Sequence, residues 1–246
     1  MSIKVVFLHG FPLDSSMWRE QEEFFKQRCD VFSLDLPGFG DSTKVAPDSI
    51  EGFAEDVKSF LDENKIKKVV LCGFSMGGYI ALAFYEKYPQ FVKALVLVDT
   101  RAKDDSDEGK KLRNVAIEEA EKNGTVFFVE NMPSRLLSEE GMKNPIILER
   151  VRKIIAKQRK ESIKNALIAM RDRKDRSFLL NGIEVPTLFI CGERDVLTPP
   201  QEMKEMSLNV KNSRFEIIKN AAHLSNIENP AQFNALLNIF LESLGG

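Results

Sequence analysis

Apolar residues fall along this chain in two alternating rhythms. Short, nearly uninterrupted runs occupy residues 5–8, 31–34, 69–72, 94–98, 187–191 and 215–218. A strand covered on one face alternates apolar with polar residues, whereas a strand buried on both faces of a parallel sheet is apolar throughout. Between these runs the spacing becomes helical. Ile50, Phe53, Val57 and Phe60 follow Pro47-Asp48-Ser49, which caps the first turn. Met17, Gln21 and Phe24, with Trp18 and Phe25, predict a helix that starts near Asp14 or Ser15. Ile80, Ala81, Phe84 and Tyr85 mark another, and Pro230 opens a last one with Phe233, Leu236, Leu237, Phe240 and Leu241 inward. Strands alternating with crossovers of this length predict an α/β fold, a doubly wound and mostly parallel sheet of about six strands.

The alternation stops after Val98. From about residue 101 to 182 no strand pattern is convincing, and about four helical ones take its place, among them Leu112, Val115, Ala116 and Glu119, then Ile147, Val151, Ile154 and Ile155. The expected organisation is one α/β core made of residues 1–100 and 183–246, interrupted by a helical cap over 101–182. Charge divides the same way. The insertion holds 19 Lys/Arg against 14 Asp/Glu and the rest 16 against 23, within a net charge of −2. The basic excess concentrates between Lys143 and Arg176, either as a solvated helical surface or as a docking face for an acidic partner. The overall balance gives no general attraction to nucleic acid. Cys29, Cys72 and Cys191 are odd in number and form no C-x-x-C pair, which reads as buried free thiols in a reducing compartment. No run approaches the roughly 18 apolar residues of a membrane span. The first strand begins too early for a signal segment, so a cytoplasmic location is expected.

Val69-Val70-Leu71-Cys72-Gly73-Phe74-Ser75-Met76-Gly77-Gly78 sets the pattern G-x-S-x-G between a predicted strand and a predicted helix. A sharp turn there holds the serine in a strained conformation, and side chains at positions 73 and 77 would clash. Ser75 would then stand at a helix N-terminus, where developing negative charge is favoured. A nucleophilic serine needs a base, and the chain has only two histidines. His223 follows the last strand, beyond the carboxyl ends where open α/β sheets bind ligands. His9, in His9-Gly10-Phe11-Pro12 after the first strand, reads as a structural residue that orders its loop. The acid that holds the base is expected at Asp195, past the end of the fifth strand run. Asp99, at the end of the fourth, is the alternative, and Glu193 would point elsewhere.

Ser75, Asp195, His223 and the His9-Gly10 loop together resemble the α/β-hydrolase family of esterases and lipases over essentially the whole length. Asp35-Leu36-Pro37-Gly38-Phe39-Gly40-Asp41-Ser42 is similar to a structural loop of that family. Most members carry two further strands ahead of the first one here, so the sheet is expected to be short. The resemblance implies a Ser-His-Asp triad, an oxyanion hole from the Phe11 and Met76 backbone N–H groups (such donors contribute about 3–4 kcal/mol each) and hydrolysis of carboxylic esters through an acyl-enzyme. No cofactor is expected, and no metal site is evident, since the two histidines are far apart and no H-E-x-x-H occurs. Phe11, Leu13, Phe74, Met76, Phe127, Phe128 and Met132 are the expected substrate pocket, though each suits plain packing. The cap also resembles in style that of pimeloyl-carrier methyl ester esterases, which implies an acidic carrier protein as a candidate partner beside a small-molecule ester. Enol-lactonase, carbon–carbon hydrolase and perhydrolase chemistry use the same triad. A ligand sensor built on the hydrolase pocket is the alternative of another class.

Overall fold

In the computed structural model, which describes residues 3–245, every predicted run becomes a strand. These are β1 (Lys4–Leu8), β2 (Asp30–Leu34), β3 (Val69–Phe74), β4 (Val92–Val98), β5 (Thr187–Gly192) and β6 (Ser213–Ile218). They form one parallel sheet in the order β2-β1-β3-β4-β5-β6. The central strands β3 and β5 are buried along their whole length, which is why their sequences carry no polar alternation. After β2 the chain returns across β1 to build β3, so the winding reverses between β1 and β3. The loops leaving the carboxyl ends of those two strands therefore part, and a ligand crevice opens there.

The sheet is flanked by helices α1 (Arg19–Phe25), α2 (Ile50–Glu63) and α3 (Met76–Lys87). Asp14 caps a tight turn, Ser15–Trp18, that leads into α1. Ser49 caps α2 by accepting the Gly52 N–H at 3.2 Å, a contribution of about 1 kcal/mol. Trp18 is buried against Phe7, Phe233 and Phe74, with ring centroids 4.8, 6.0 and 6.4 Å away. This aromatic cluster lies beneath the carboxyl end of β3.

Between β4 and β5 run α4 (Asp107–Asn123), α5 (Val126–Asn131), α6 (Pro133–Leu136), α7 (Glu139–Lys143), α8 (Pro145–Ala156) and α9 (Lys160–Arg171). That is six helices where the sequence pattern predicts about four. The difference lies in α5, α6 and α7, which are too short to display a period and are separated by Pro133, by the Ser138 cap and by Asn144-Pro145. The remaining helices, α10 (Pro200–Leu208), α11 (Ser225–Glu228) and α12 (Pro230–Ser243), complete the flanks. Among the described residues no helix is long and apolar enough to cross a membrane.

Much of the basic excess of the helical segment is directed onto the acidic remainder of the chain. Arg150 pairs with Glu20 at 2.6 Å, Lys157 with Asp41 at 2.9 Å, and Arg176 with both Glu51 at 2.8 Å and Glu86 at 3.0 Å. Arg159 donates to the carbonyls of Gly38 at 3.0 Å and Ser42 at 2.6 Å. Exposed pairs of this kind each contribute at most about 1 kcal/mol, but Arg176 is buried, and losing one of its partners is costlier.

Candidate active site

Ser75 occupies the turn between β3 and α3 with φ 51° and ψ −112°, a left-handed conformation that side chains resist. Its neighbours explain how it is held. The Ser75 N–H donates to the Val98 carbonyl at 2.9 Å, and Thr100 Oγ1 donates to the Ser75 carbonyl at 2.7 Å. A Cβ at Gly73 would lie 2.3 Å from the Gly77 carbonyl oxygen, and one at Gly77 would lie 2.4 Å from the Leu8 carbonyl oxygen. Both glycines are thus required by contact, as the spacing predicts. Met76 begins α3, so its N–H has no intrahelical acceptor. Neither that N–H nor the Phe11 N–H is engaged by another described residue.

His223 lies in the loop after β6 and Asp195 in the loop after β5, and both are buried. His223 Nδ1 is 2.7 Å from Asp195 Oδ2. The carboxylate is further fixed by its own loop: Oδ1 accepts the N–H groups of Leu197 at 2.8 Å and Thr198 at 3.1 Å, and the Thr198 hydroxyl donates to Oδ2. Burial pushes the Asp195 carboxyl up, but the His223 charge and the His223 and Thr198 hydrogen bonds outweigh it and hold the group below the usual range. The His223 ring packs on Phe74 with centroids 4.9 Å apart. Glu193 faces away, pairing with Lys219 at 2.7 Å.

Asp99 follows β4 with φ 43° and does not bond His223. Its carboxyl accepts the Gly192 N–H at 2.7 Å and the Ser225 hydroxyl. Full burial, then the Asp195 charge, push it well above the usual range. Donor atoms of Asp99, Asp195 and His223 all lie within 4.8 Å of one another, a grouping of the kind that can hold a cation. Here those atoms are engaged by one another and by Gly192, Thr198 and Ser225.

His9 is structural in its contacts. Nε2 accepts the Leu36 N–H at 3.1 Å, which leaves the proton on Nδ1 to donate to the Gly10 carbonyl at 3.0 Å. Burial lowers its basicity, which keeps this tautomer neutral. The ring thereby ties the loop after β1 to the loop after β2, where Gly38 and Gly40 take φ +89° and +54° and Asp35 accepts the N–H groups of Ser15 at 2.9 Å and Asp41 at 2.8 Å.

Ser75 and His223 line one cavity of about 260 Å³ together with Phe11, Phe127, Phe128 and Met132. No hydrogen bond joins Ser75 to His223 among the described residues, and such bonds are often long in substrate-free sites. Three residues expected in the pocket are not on its wall. Leu13, Phe74 and Met76 are fully buried in the core, Phe74 because its ring is wedged between Trp18 and His223. The sequence reading missed Tyr79, Arg101, Arg113, Arg135 and Thr198, all of which line the cavity. Arg101 was within reach of it, since it stands three residues past the end of β4, where ligands of such sheets bind.

A parallel sheet whose winding reverses beside a strained strand-to-helix serine, with an aspartate–histidine pair supplied by the ends of the last two strands, is the arrangement of an α/β hydrolase. The chain belongs to the alpha/beta hydrolase fold family, whose model matches residues 4–129. It is 29% identical to 3-oxoadipate enol-lactonase 1 of Acinetobacter baylyi, over 98% of this chain and 89% of that protein. It is 26% identical to a pimeloyl-[acyl-carrier protein] methyl ester esterase of Neisseria meningitidis, over 98% of this chain and 94% of that one. Among solved structures, a thermophilic esterase from Thermogutta terrifontis with malate bound superposes with a TM-score of 0.96 at 34% identity, covering 99% of this chain and 91% of that one.

Proposed function

We propose that the protein hydrolyses carboxylic esters through an acyl-enzyme formed on Ser75, with His223 as base and Asp195 as the group that orients it. The observation that carries this reading is the 2.7 Å contact between His223 and Asp195 in a pair that lines one cavity with the strained serine. With Nδ1–H donating to Asp195, His223 keeps Nε2 free to take the Ser75 proton. The Ser75 oxygen attacks the ester carbonyl, and the unengaged N–H groups of Phe11 and Met76 receive the oxyanion. The imidazolium, stabilised by Asp195, returns the proton to the departing alcohol. Water activated by the same ring then releases the acid. Helices α4 to α9 over residues 101–182 act as a cap that walls the cavity and limits water.

Lactone opening is the second reading, favoured by likeness to the enol-lactonase across nearly the whole chain; a lactone is an intramolecular ester and needs no change of machinery. A carrier-bound substrate, as the relationship to the carrier-protein esterase suggests, is less favoured, because much of the basic excess of residues 143–176 is turned inward. The test is a p-nitrophenyl ester series from acetate to palmitate on the wild type and on Ser75→Ala. Turnover confined to the wild type, highest for short chains that suit the cavity, is expected. Equal rates in the two proteins overturn the proposal.

A further inference from the structure

Hydrocarbon makes most of the cavity wall, yet three arginines line it, Arg101, Arg113 and Arg135. The only acid on that wall among the described residues is Asp105, and it serves two cations at once: Arg113 at 3.0 Å and the buried Arg173 at 2.8 Å. That group therefore retains one positive charge. Arg101 pairs with Glu202 at 3.2 Å and donates to the Leu197 carbonyl, but its Nε–H is buried with no hydrogen-bond partner among the described residues. Arg135 is exposed at the cavity and forms neither an ion pair nor a side-chain hydrogen bond with any described residue. An unsatisfied donor in a buried setting is costly unless something supplies an acceptor. A guanidinium is a planar fork that matches a carboxylate with two parallel hydrogen bonds.

We infer that the ester cleaved at Ser75 carries a second, ionised carboxylate, held by Arg135 with Arg101 behind it while its carbon chain lies against the phenylalanines of the cavity. This rests on the ester-hydrolase reading and narrows it to a substrate class, esters or lactones of dicarboxylic or hydroxy-acid type. The positive side chains would also draw such an anion in from solution, an attraction that salt weakens.

The experiment uses two matched pairs of esters on the full chain. In the first pair the charge is on the acyl half, p-nitrophenyl hydrogen glutarate against p-nitrophenyl pentanoate. In the second it is on the alcohol half, 4-carboxyphenyl acetate against phenyl acetate. The quantity read is the ratio of kcat/KM, anionic over neutral, within each pair. In at least one pair the wild type is expected to give a ratio of about ten or more, the size of one charged hydrogen bond. Arg135→Gln should bring that ratio towards one, Arg135→Glu below one, and added sodium chloride should lower it in the wild type. Arg101→Gln, checked for an unchanged thermal melt, should reduce it as well. A wild-type ratio of one or less in both pairs overturns the inference and leaves the hydrolase reading intact. So does a high ratio that neither Arg135→Gln nor Arg101→Gln reduces. If none of the four esters is turned over faster than by Ser75→Ala, the hydrolase reading itself fails and the inference falls with it.

Discussion

The loops that follow β4 and β5 each carry a buried aspartate, and the two acids are driven in opposite directions. Asp195 lies beside His223, a base that gains a positive charge when it takes a proton, and its carboxylate collects the N–H groups of Leu197 and Thr198. Asp99 lies deeper, receives the Gly192 N–H and the Ser225 hydroxyl, and faces Asp195 as its nearest charge. The same side chain is thus pushed towards its ionised form in one loop and towards its protonated form in the next. Burial acts upward on both groups, so a partner that can become cationic decides which of them loses its proton more readily. A carboxylate supports a histidine only while it is ionised, so the proposed mechanism gives the orienting role to Asp195 and leaves Asp99 to brace the loops.

The largest effect should come from removing the ionised member. Asp195→Asn is expected to leave the fold in place and lower kcat by about 10³–10⁴, since an amide cannot steady the imidazolium and favours the wrong tautomer. Steady-state turnover of a p-nitrophenyl ester, with circular dichroism to check folding, measures it. A loss under tenfold would show that another acid does the work. Thr198→Val comes next. It removes a hydroxyl that donates to Asp195 Oδ2 and retains the shape. A hydrogen bond to a charged group is worth about 1.5–3 kcal/mol, so kcat should fall by about tenfold or somewhat more with KM little changed. An unchanged kcat would mean that the two backbone N–H donors suffice.

What could be read in advance follows from the same physics. The strands were legible because burial on both faces leaves an uninterrupted apolar run. Ser75 was legible because Gly73 and Gly77 are forced by contact with fixed backbone, a constraint that any sequence making this turn must meet. His223 was legible because only two histidines compete and His9 is committed to Leu36 and Gly10. The cavity wall was legible only in part: Phe11, Phe127, Phe128 and Met132 line it as expected, but its arginines were not foreseen. Arg101, Arg113 and Arg135 come from the loop after β4, from α4 and from α6, and what places them together is tertiary packing, with α6 too short to show a period of its own. Leu13, Phe74 and Met76 were misplaced for a related reason: nearness in sequence to Ser75 or Phe11 says nothing about which side of the backbone a side chain leaves. Asp99 and Asp195 both looked like strand-end acids, and only the position of the imidazole separates them.

Asp99→Asn should change kcat by about threefold or less, because an amide has the shape of the protonated acid and can still accept the Gly192 N–H. A loss as large as that of Asp195→Asn would reverse the assignment of the two loops.

The smallest effect is on stability, and its sign separates the two acids. An aspartate in the unfolded chain releases its proton near pH 3.9, whereas Asp99 in the folded protein keeps its proton to a higher pH. Its contribution to stability is therefore fully present below the unfolded value and is lost as pH rises through the folded one. The amide of the Asp99→Asn variant has no proton to lose. The melting temperature of Asp99→Asn minus that of the wild type should accordingly increase from about pH 4 upward, by about 3–5 °C for each pH unit crossed before Asp99 ionises. Asp195 obeys the opposite rule. Its folded value is lowered, so its contribution is present above about pH 3.9 and disappears as pH falls through the folded value, and the deficit of Asp195→Asn should shrink on acidification. Thermal melts of the three proteins across this range decide the matter. A difference for Asp99→Asn that stays flat or narrows with rising pH would mean that Asp99 is ionised in the folded protein, and the contrast between the two loops would have to be given up.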